Sequence, residues 1–321
     1  MRHITDIKTV IHDLTTKGVC IGQVKPKHYH AWKKELEDEL NCPVVSKSTL
    51  AAFSANPYRF NWERENEVEK ATPAMNLGSL VDTIAITPDL FDELYKVEEK
   101  RVALKKDGTP YANGMQDPDQ KIAWQCLAEA GIQVISTEQC DEASRIADVV
   151  TEKLASHGWH IGDNCHTQVA IWARLTRVDD IALATPVILC GMLDITDLRS
   201  TIIDLKTTSV DVANFTKLTY LMEDFRYGMQ AAIYRDLLTM ATEIPDILFD
   251  FLFVGTAEPH QVRTIRMTEE ALMLYAREYK HALLKYAACW RLEEWGESDL
   301  GITYYSPSAR EYNLIDERAR A

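Results

Sequence analysis

Two apolar runs, Val187–Leu193 and Ser200–Leu205, flank the polar turn Thr196-Asp197-Leu198-Arg199. That pattern predicts a β-hairpin, although the turn lacks an Asn-Gly pair. Alternation along the second strand places Ile202, Asp204 and Lys206 on one face and Ile203 and Leu205 on the other. Upstream, Ser46 reads as the N-cap of a short helix with Leu50 and Phe53 on its apolar face, stopped before Pro57. Leu77, Leu80, Val81, Ile84 and Ala85 recur at helical spacing, and Pro88 supplies a stop. Gln120–Gly131 and Glu138–His157 read as helices and Gln168–Leu175 as a strand. After the hairpin come a helix over Phe225–Met240, β runs at Ile247–Val254 and Val262–Met267, and a long amphipathic helix over Thr268–Trp295. Such a mixture predicts an α/β (α+β) chain.

Two stretches carry less pattern. HAWKKELEDELN reads as a charged, solvated helix ending near Asn41, so residues 1–41 are expected to form an N-terminal helical extension, with 42–321 a single domain. Glu98–Asp119 is rich in Gly, Pro, Asn and charge and reads as a long loop. Lys100, Arg101, Lys105 and Lys106 give it local positive charge, which suits a flap over DNA and equally suits a solvated loop.

The hairpin also carries chemistry. Asp194 ends its first strand ten residues before Asp204, and Lys206 shares the face of Asp204. Carboxylates on adjacent strands can gather a hard cation such as Mg²⁺, whose remaining positions go to water and phosphate oxygens. A neighbouring lysine can orient a water or stabilise developing negative charge. An ordinary Asp–Lys pair on a surface hairpin has the same spacing. Arg226, Gln230 and Tyr234 are spaced by four and share a helix face, and Gly78 and Asp82 are paired the same way beside an apolar stripe.

Taken together, Asp194, the run IIDLKTT with Asp204 and Lys206, and the helix Arg226-Tyr227-Gly228-Met229-Gln230-Ala231-Ala232-Ile233-Tyr234 resemble the core of a PD-(D/E)xK nuclease. Within that superfamily the chain is most similar to the exodeoxyribonuclease VIII (RecE-type) phage recombination exonucleases, with VSKSTLAAFSANPYRFNW and LGSLVDTIAITPDLF matching their upstream style. The resemblance implies a restriction-endonuclease-like core, a central mixed β-sheet flanked by helices. It implies metal ligation by Asp194, Asp204 and the carbonyl of Leu205, with Lys206 positioning water, and Mg²⁺ as cofactor with Mn²⁺ substituting. Gln230 would orient Lys206 or a water, and Tyr234 or Arg226 would meet phosphate. Asp82 stands where the family carries a ligand histidine, which would make the donor set all oxygen. The implied activity is degradation of double-stranded DNA ends, 5′→3′, by a ring-shaped homo-oligomer such as a tetramer, alongside a single-strand annealing protein. A catalytically impaired DNA-binding module or an endonuclease on the same core are the alternatives.

Charge and cysteine content modify this picture. Lys and Arg total 35 against 49 Asp and Glu, a net charge of −14, so contacts to phosphate would have to be concentrated in one basic path. Seven scattered cysteines without a C-x-x-C pair suggest reduced thiols and a cytoplasmic protein. Only Cys289 follows the core, which excludes the superfamily's iron–sulfur arrangement of three clustered C-terminal cysteines. No apolar run approaches a membrane span.

Overall fold

The structure, a computed structural model, describes residues 1–66, 73–105, 108–111 and 115–297. In chain order the first elements are α1 (Ile7–Thr16), β1 (Val19–Gln23), α2 (Pro26–Leu40), β2 (Val44–Val45), α3 (Lys47–Ala55), α4 (Pro57–Glu65) and α5 (Pro73–Ile86). Next are α6 (Phe91–Leu94), β3 (Tyr95–Val97), α7 (Pro118–Glu129), β4 (Gln133–Ile135) and α8 (Thr137–Ser156). Three strands follow, β5 (His166–Val178), β6 (Ile181–Thr196) and β7 (Thr201–Thr208). The last elements are α9 (Phe215–Asp224), α10 (Tyr227–Thr242), β8 (Leu248–Gly255), β9 (Val262–Arg266) and α11 (Glu269–Leu292).

The central sheet runs β1-β5-β6-β7-β8-β9, with β2 added alongside β6. It is mixed: β2 joins β6 and β8 joins β7 in parallel, while the other pairings are antiparallel. A parallel neighbour needs a crossover, and here α9 and α10 supply it, which lays α10 across one face of the sheet. That face packs Ile202, Phe249, Phe251 and Phe253 against Met229 and Ile233 of α10, Leu283 and Tyr286 of α11, and Leu50 and Phe53 of α3. On the opposite face α5 and α8 cover Ile203, Leu205, Leu252 and Val254. The strand alternation expected around Asp204 therefore holds. Gly228 lets α10 and α11 meet closely, since a Cβ there would lie 2.0 Å from the Tyr275 ring.

The first 41 residues differ from the expected helical extension. β1 pairs along β5 and is the edge strand of the central sheet. Tyr29, Trp32 and Leu36 of α2 are buried with Val10 and Leu14 of α1 against Trp172, Ile188 and Cys190. The charges of α2 mask a stripe at positions i, i+3 and i+7 that the sheet buries.

Among its described residues, the 98–119 segment carries isolated β-bridges. Val102 bridges Gln116 and Leu104 bridges Pro110, both antiparallel. Gln120, fully buried at the start of α7, accepts from the Arg101 N–H at 2.7 Å and donates to the Glu99 carbonyl at 2.8 Å. The expected helix over Phe225–Met240 begins instead at Tyr227, because Arg226 adopts φ 53° and breaks α9 from α10. Among the described residues, no helix is long and apolar enough to cross a membrane. All seven cysteines are free thiols.

Candidate active site

The hairpin turn is closed by Asp197, whose Oδ1 accepts from the backbone N–H groups of Arg199, Ser200 and Thr201 at 2.8–3.0 Å. This aspartate turn does the work expected of an Asn-Gly pair, with Leu198 taking the left-handed conformation at φ 61°. Beyond the turn the strands separate. β6 and β7 pair only through Ile195–Ile203 and Thr196–Ile202. Farther along, the same edge of β6 is taken by β2, at Ile188 and Leu189. A notch opens between the two partners.

Asp194 lies at the apex of that notch. Its neighbour across β5, Gln168, has φ 49° and drops out of the register between Thr167–Ile195 and Val169–Leu193. The side-chain alternation of β6 resets there: Leu193 packs on the α10 face and Ile195 on the α5–α8 face. Asp194 is thereby turned sideways into the notch, where Oδ2 accepts from the Leu205 N–H at 2.9 Å. The carboxylate substitutes for a missing ladder partner.

Asp204 is 1% exposed, yet both of its oxygens have polar neighbours. Gln230 Nε2 donates to Oδ1 at 2.6 Å, and the Lys206 ammonium forms an ion pair with Oδ2. Asp82 approaches from the other side of the sheet on α5. The close approach expected at Gly78 is present, because a Cβ there would lie 2.9 Å from Thr207 Oγ1.

The electrostatics bind these groups together. Burial, reinforced by Asp204 and Asp82 and opposed by Lys206, raises Asp194 well above the ordinary carboxylate range. Burial pushes Asp82 up to about 7, with Lys206 pulling it down and Asp204 pushing it further. Asp204 is raised by burial against the pull of Lys206. Burial alone would lower Lys206, but Asp204 and Asp194 outweigh it and hold the ammonium charged. Three carboxylates outnumber the two lysines beside them, Lys206 and Lys47, so the cluster retains affinity for further positive charge.

The remaining expected residues separate into two groups. Tyr234 stands near the aspartates but is packed over Gly191, where a Cβ would lie 2.7 Å from its ring, and over Phe249. Burial first, then Asp204 and Asp194, raises its hydroxyl above the ordinary range. Arg226 is not gathered with them. It sits in the break before α10 and pairs with Glu278 of α11 at 2.5 Å. Lys105 is exposed in the small ladder of the 98–119 segment, and Lys106 lies outside the described residues.

Two residues that carry the site went unread in sequence. Tyr227 places its ring 5.2 Å from Lys206 Nζ, and Lys47 Nζ lies 5.3 Å from the same ring. Lys47 also donates to the Phe225 carbonyl at 2.5 Å. Burial and the like charge of Lys206 bring Lys47 down to about 8, with Asp204 opposing. A lysine at the start of a helix carries no local signal; only the packing of α3 beside α10 brings it here.

Residues 185–303 match the profile of a PDDEXK-like domain of unknown function (DUF3799). The chain's fold is similar to that of a crystal structure named "Putative exonuclease" from Eubacterium rectale, with a TM-score of 0.52 at 14% identity, covering 93% of this chain and 99% of that one. The structure of SSO0001 is a looser likeness, with a TM-score of 0.26 at 15% identity over 59% of this chain and 80% of that one. Protein VC1899 from Vibrio cholerae gives 0.19 at 12% identity over 85% and 60%. No curated protein matches the chain.

Enzymes of the PDDEXK class generally use divalent metals, and the donor set here fits one by type: carboxylate oxygens suit Mg²⁺ and Mn²⁺. Burial raises Asp82 and Asp194, and the neighbouring charge of Asp204 adds to the effect. They are not drawn to coordination distance, and among the described residues no three His, Cys, Asp or Glu groups are so placed. One Asp204 oxygen is paired with Lys206, and one Asp194 oxygen accepts from the Leu205 N–H.

Proposed function

We propose that the protein is a metal-dependent nuclease that hydrolyses linear double-stranded DNA from its ends, 5′→3′, leaving 3′ single strands for recombination. The observation that carries this reading is the notch itself. It apposes Asp194 to the Asp204–Lys206 pair, with Gln230 holding Asp204, inside a PDDEXK-like domain. Asp82, Asp194, Asp204 and the Leu205 carbonyl would hold the cation. When bound, Mg²⁺, or Mn²⁺ in its place, supplies charge stabilisation at the phosphorus and the leaving oxygen.

The chain's own side chains do the rest. Lys206 orients the attacking water and donates to a non-bridging oxygen as negative charge grows there. Gln230 fixes the carboxylate that Lys206 pairs with, so that the ammonium meets the substrate in one orientation. The water oxygen bonds to phosphorus, the P–O3′ bond breaks, and a proton passes to the departing 3′ oxygen. We also propose a homo-oligomeric ring, such as a tetramer, as the working form, with a single-strand annealing protein receiving the product strand.

The test is digestion of 5′-labelled linear duplex and of closed circular plasmid in Mg²⁺, Mn²⁺ and chelator. Metal-dependent loss of the linear substrate with the circle intact is expected. Cutting of the circle would make the protein an endonuclease, and binding without cutting would make it a DNA-binding module.

A further inference from the structure

Phe225 closes α9 and is 55% exposed, a large aromatic side chain left in solvent beside the notch. The left-handed Arg226 folds the chain back so that Phe225 and Tyr227 stack, with centroids 5.7 Å apart and planes at 19°. Tyr227 in turn touches both cations of the site, Lys206 and Lys47. Lys47 reaches the backbone of Phe225 itself. A continuous line therefore runs from Asp204 through Lys206 and Tyr227 to the exposed ring, with a second ammonium beside it.

A half-exposed aromatic ring next to a pair of ammonium groups matches the chemistry of a nucleotide, a flat π-face carried on a phosphate. Both parts are sequence-independent, as an enzyme that digests DNA of any sequence requires. The exposed Glu223 and Asp224 just before Phe225 oppose general polyanion binding, leaving the phosphate contact to the two lysines.

We propose that Phe225 is a stacking platform for an unpaired nucleobase beside the scissile phosphate, and that Lys47 contacts the neighbouring backbone phosphate. This proposal rests on the nuclease reading above. Phe225 positions the strand and Lys47 selects for a phosphodiester; neither is asked to take part in bond cleavage.

The test uses the full chain in calcium buffer with fluorescein-labelled oligothymidylate of about 12 nucleotides, and an abasic oligomer of the same length, read by fluorescence anisotropy. The wild type should bind the base-bearing strand about tenfold more tightly, the worth of one stacked base. Phe225→Ala should lose that preference, Phe225→Trp should keep it, and Lys47→Gln should weaken both oligomers alike. A Phe225→Ala protein that retains the preference, while the wild type cuts linear duplex, overturns this proposal alone. A wild type that neither binds these strands nor cuts DNA overturns the nuclease reading with it. Reduced self-association of Phe225→Ala with unchanged base preference would make the ring a subunit contact instead.

Discussion

Gln230 donates its amide to Oδ1 of Asp204 at 2.6 Å, and that one bond joins the crossover helix to the strand that carries the chemistry. Both residues are buried, so neither water nor a substitute donor replaces the bond easily. Gln230→Ala should lower stability by about 1–3 kcal/mol, the cost of an unsatisfied buried acceptor. Nuclease activity should fall more than tenfold even where the variant is fully folded. Urea unfolding and single-turnover digestion measure the two effects, and unchanged turnover would detach Gln230 from the reaction.

Lys206 has a structural duty as well as its proposed chemical one. Removing it leaves Asp204 buried without its cation, which costs about 3–5 kcal/mol in comparable cases. Lys206→Met should therefore lose both digestion and stability. The stability loss should grow with pH, because Asp204, already raised, moves further above its unfolded value and favours the protonated form. Melting temperatures of wild type and variant that differ equally at acid and alkaline pH would contradict this.

Asp82 and Asp194 give the metal-free protein a pH dependence of definite sign. Both are raised in the folded state, Asp82 from 3.8 to about 7. A raised carboxyl binds more protons folded than unfolded, so its contribution is full below the unfolded value and is lost as pH rises through about 7. In chelator, Asp82→Asn should gain on wild type as pH rises from about 5 to about 8. Thermal melts across that range are the measurement, and a constant difference would remove Asp82 from the coupled cluster.

The same carboxylate sets metal preference. Asp82→Ala should need a much higher Mg²⁺ concentration for digestion, and Asp82→His should be relatively better in Mn²⁺, which accepts imidazole more readily. Titrating activity with each metal decides it. Identical metal curves for wild type and Asp82→Ala would show that Asp82 is no ligand.

Gly78 fixes how near α5 comes to β7. Gly78→Ala places a Cβ 2.9 Å from Thr207 Oγ1, so either the Thr207 hydroxyl rotates away or α5 shifts and carries Asp82 with it. A loss of about 1–3 kcal/mol and weaker metal binding are expected. Thr207→Ala, added to Gly78→Ala, should restore metal affinity in calorimetry. No restoration would place the fault elsewhere.

The parts of this site that a reader of the sequence can see are those set by spacing of two or four: Asp204 with Lys206, Gln230 with Tyr234, Gly78 with Asp82. Strand and helix periods alone put those pairs together. What spacing conceals is the departure from regularity. Nothing local announces that β6 and β7 pair through only two positions, or that Gln168 shifts the face of Asp194. Arg226 looked like the first residue of a helix face because its spacing to Gln230 is four, yet a left-handed backbone there sends it to Glu278. α9 carries apolar positions at helical spacing, Phe215, Leu218, Leu221 and Met222, although only Leu218 is buried. In residues 1–41 the lysines and glutamates of α2 outnumber the Tyr29, Trp32 and Leu36 stripe that the sheet covers, so the pattern alone predicts a solvated helix.

The edge of β6 is divided between β7 and β2, so the sheet forks at the site. One tine is β7, which carries Lys206; the other is β2, which passes through Ser46 directly into Lys47. The two lysines meet over one ring, that of Tyr227, borne on α10 above the fork. Any force that spreads or closes the tines thus changes the distance between two like charges a few ångströms from the carboxylates. The fork therefore ties the spacing of the two lysines to the spacing of two strands, so the geometry of the sheet sets the field at the carboxylates.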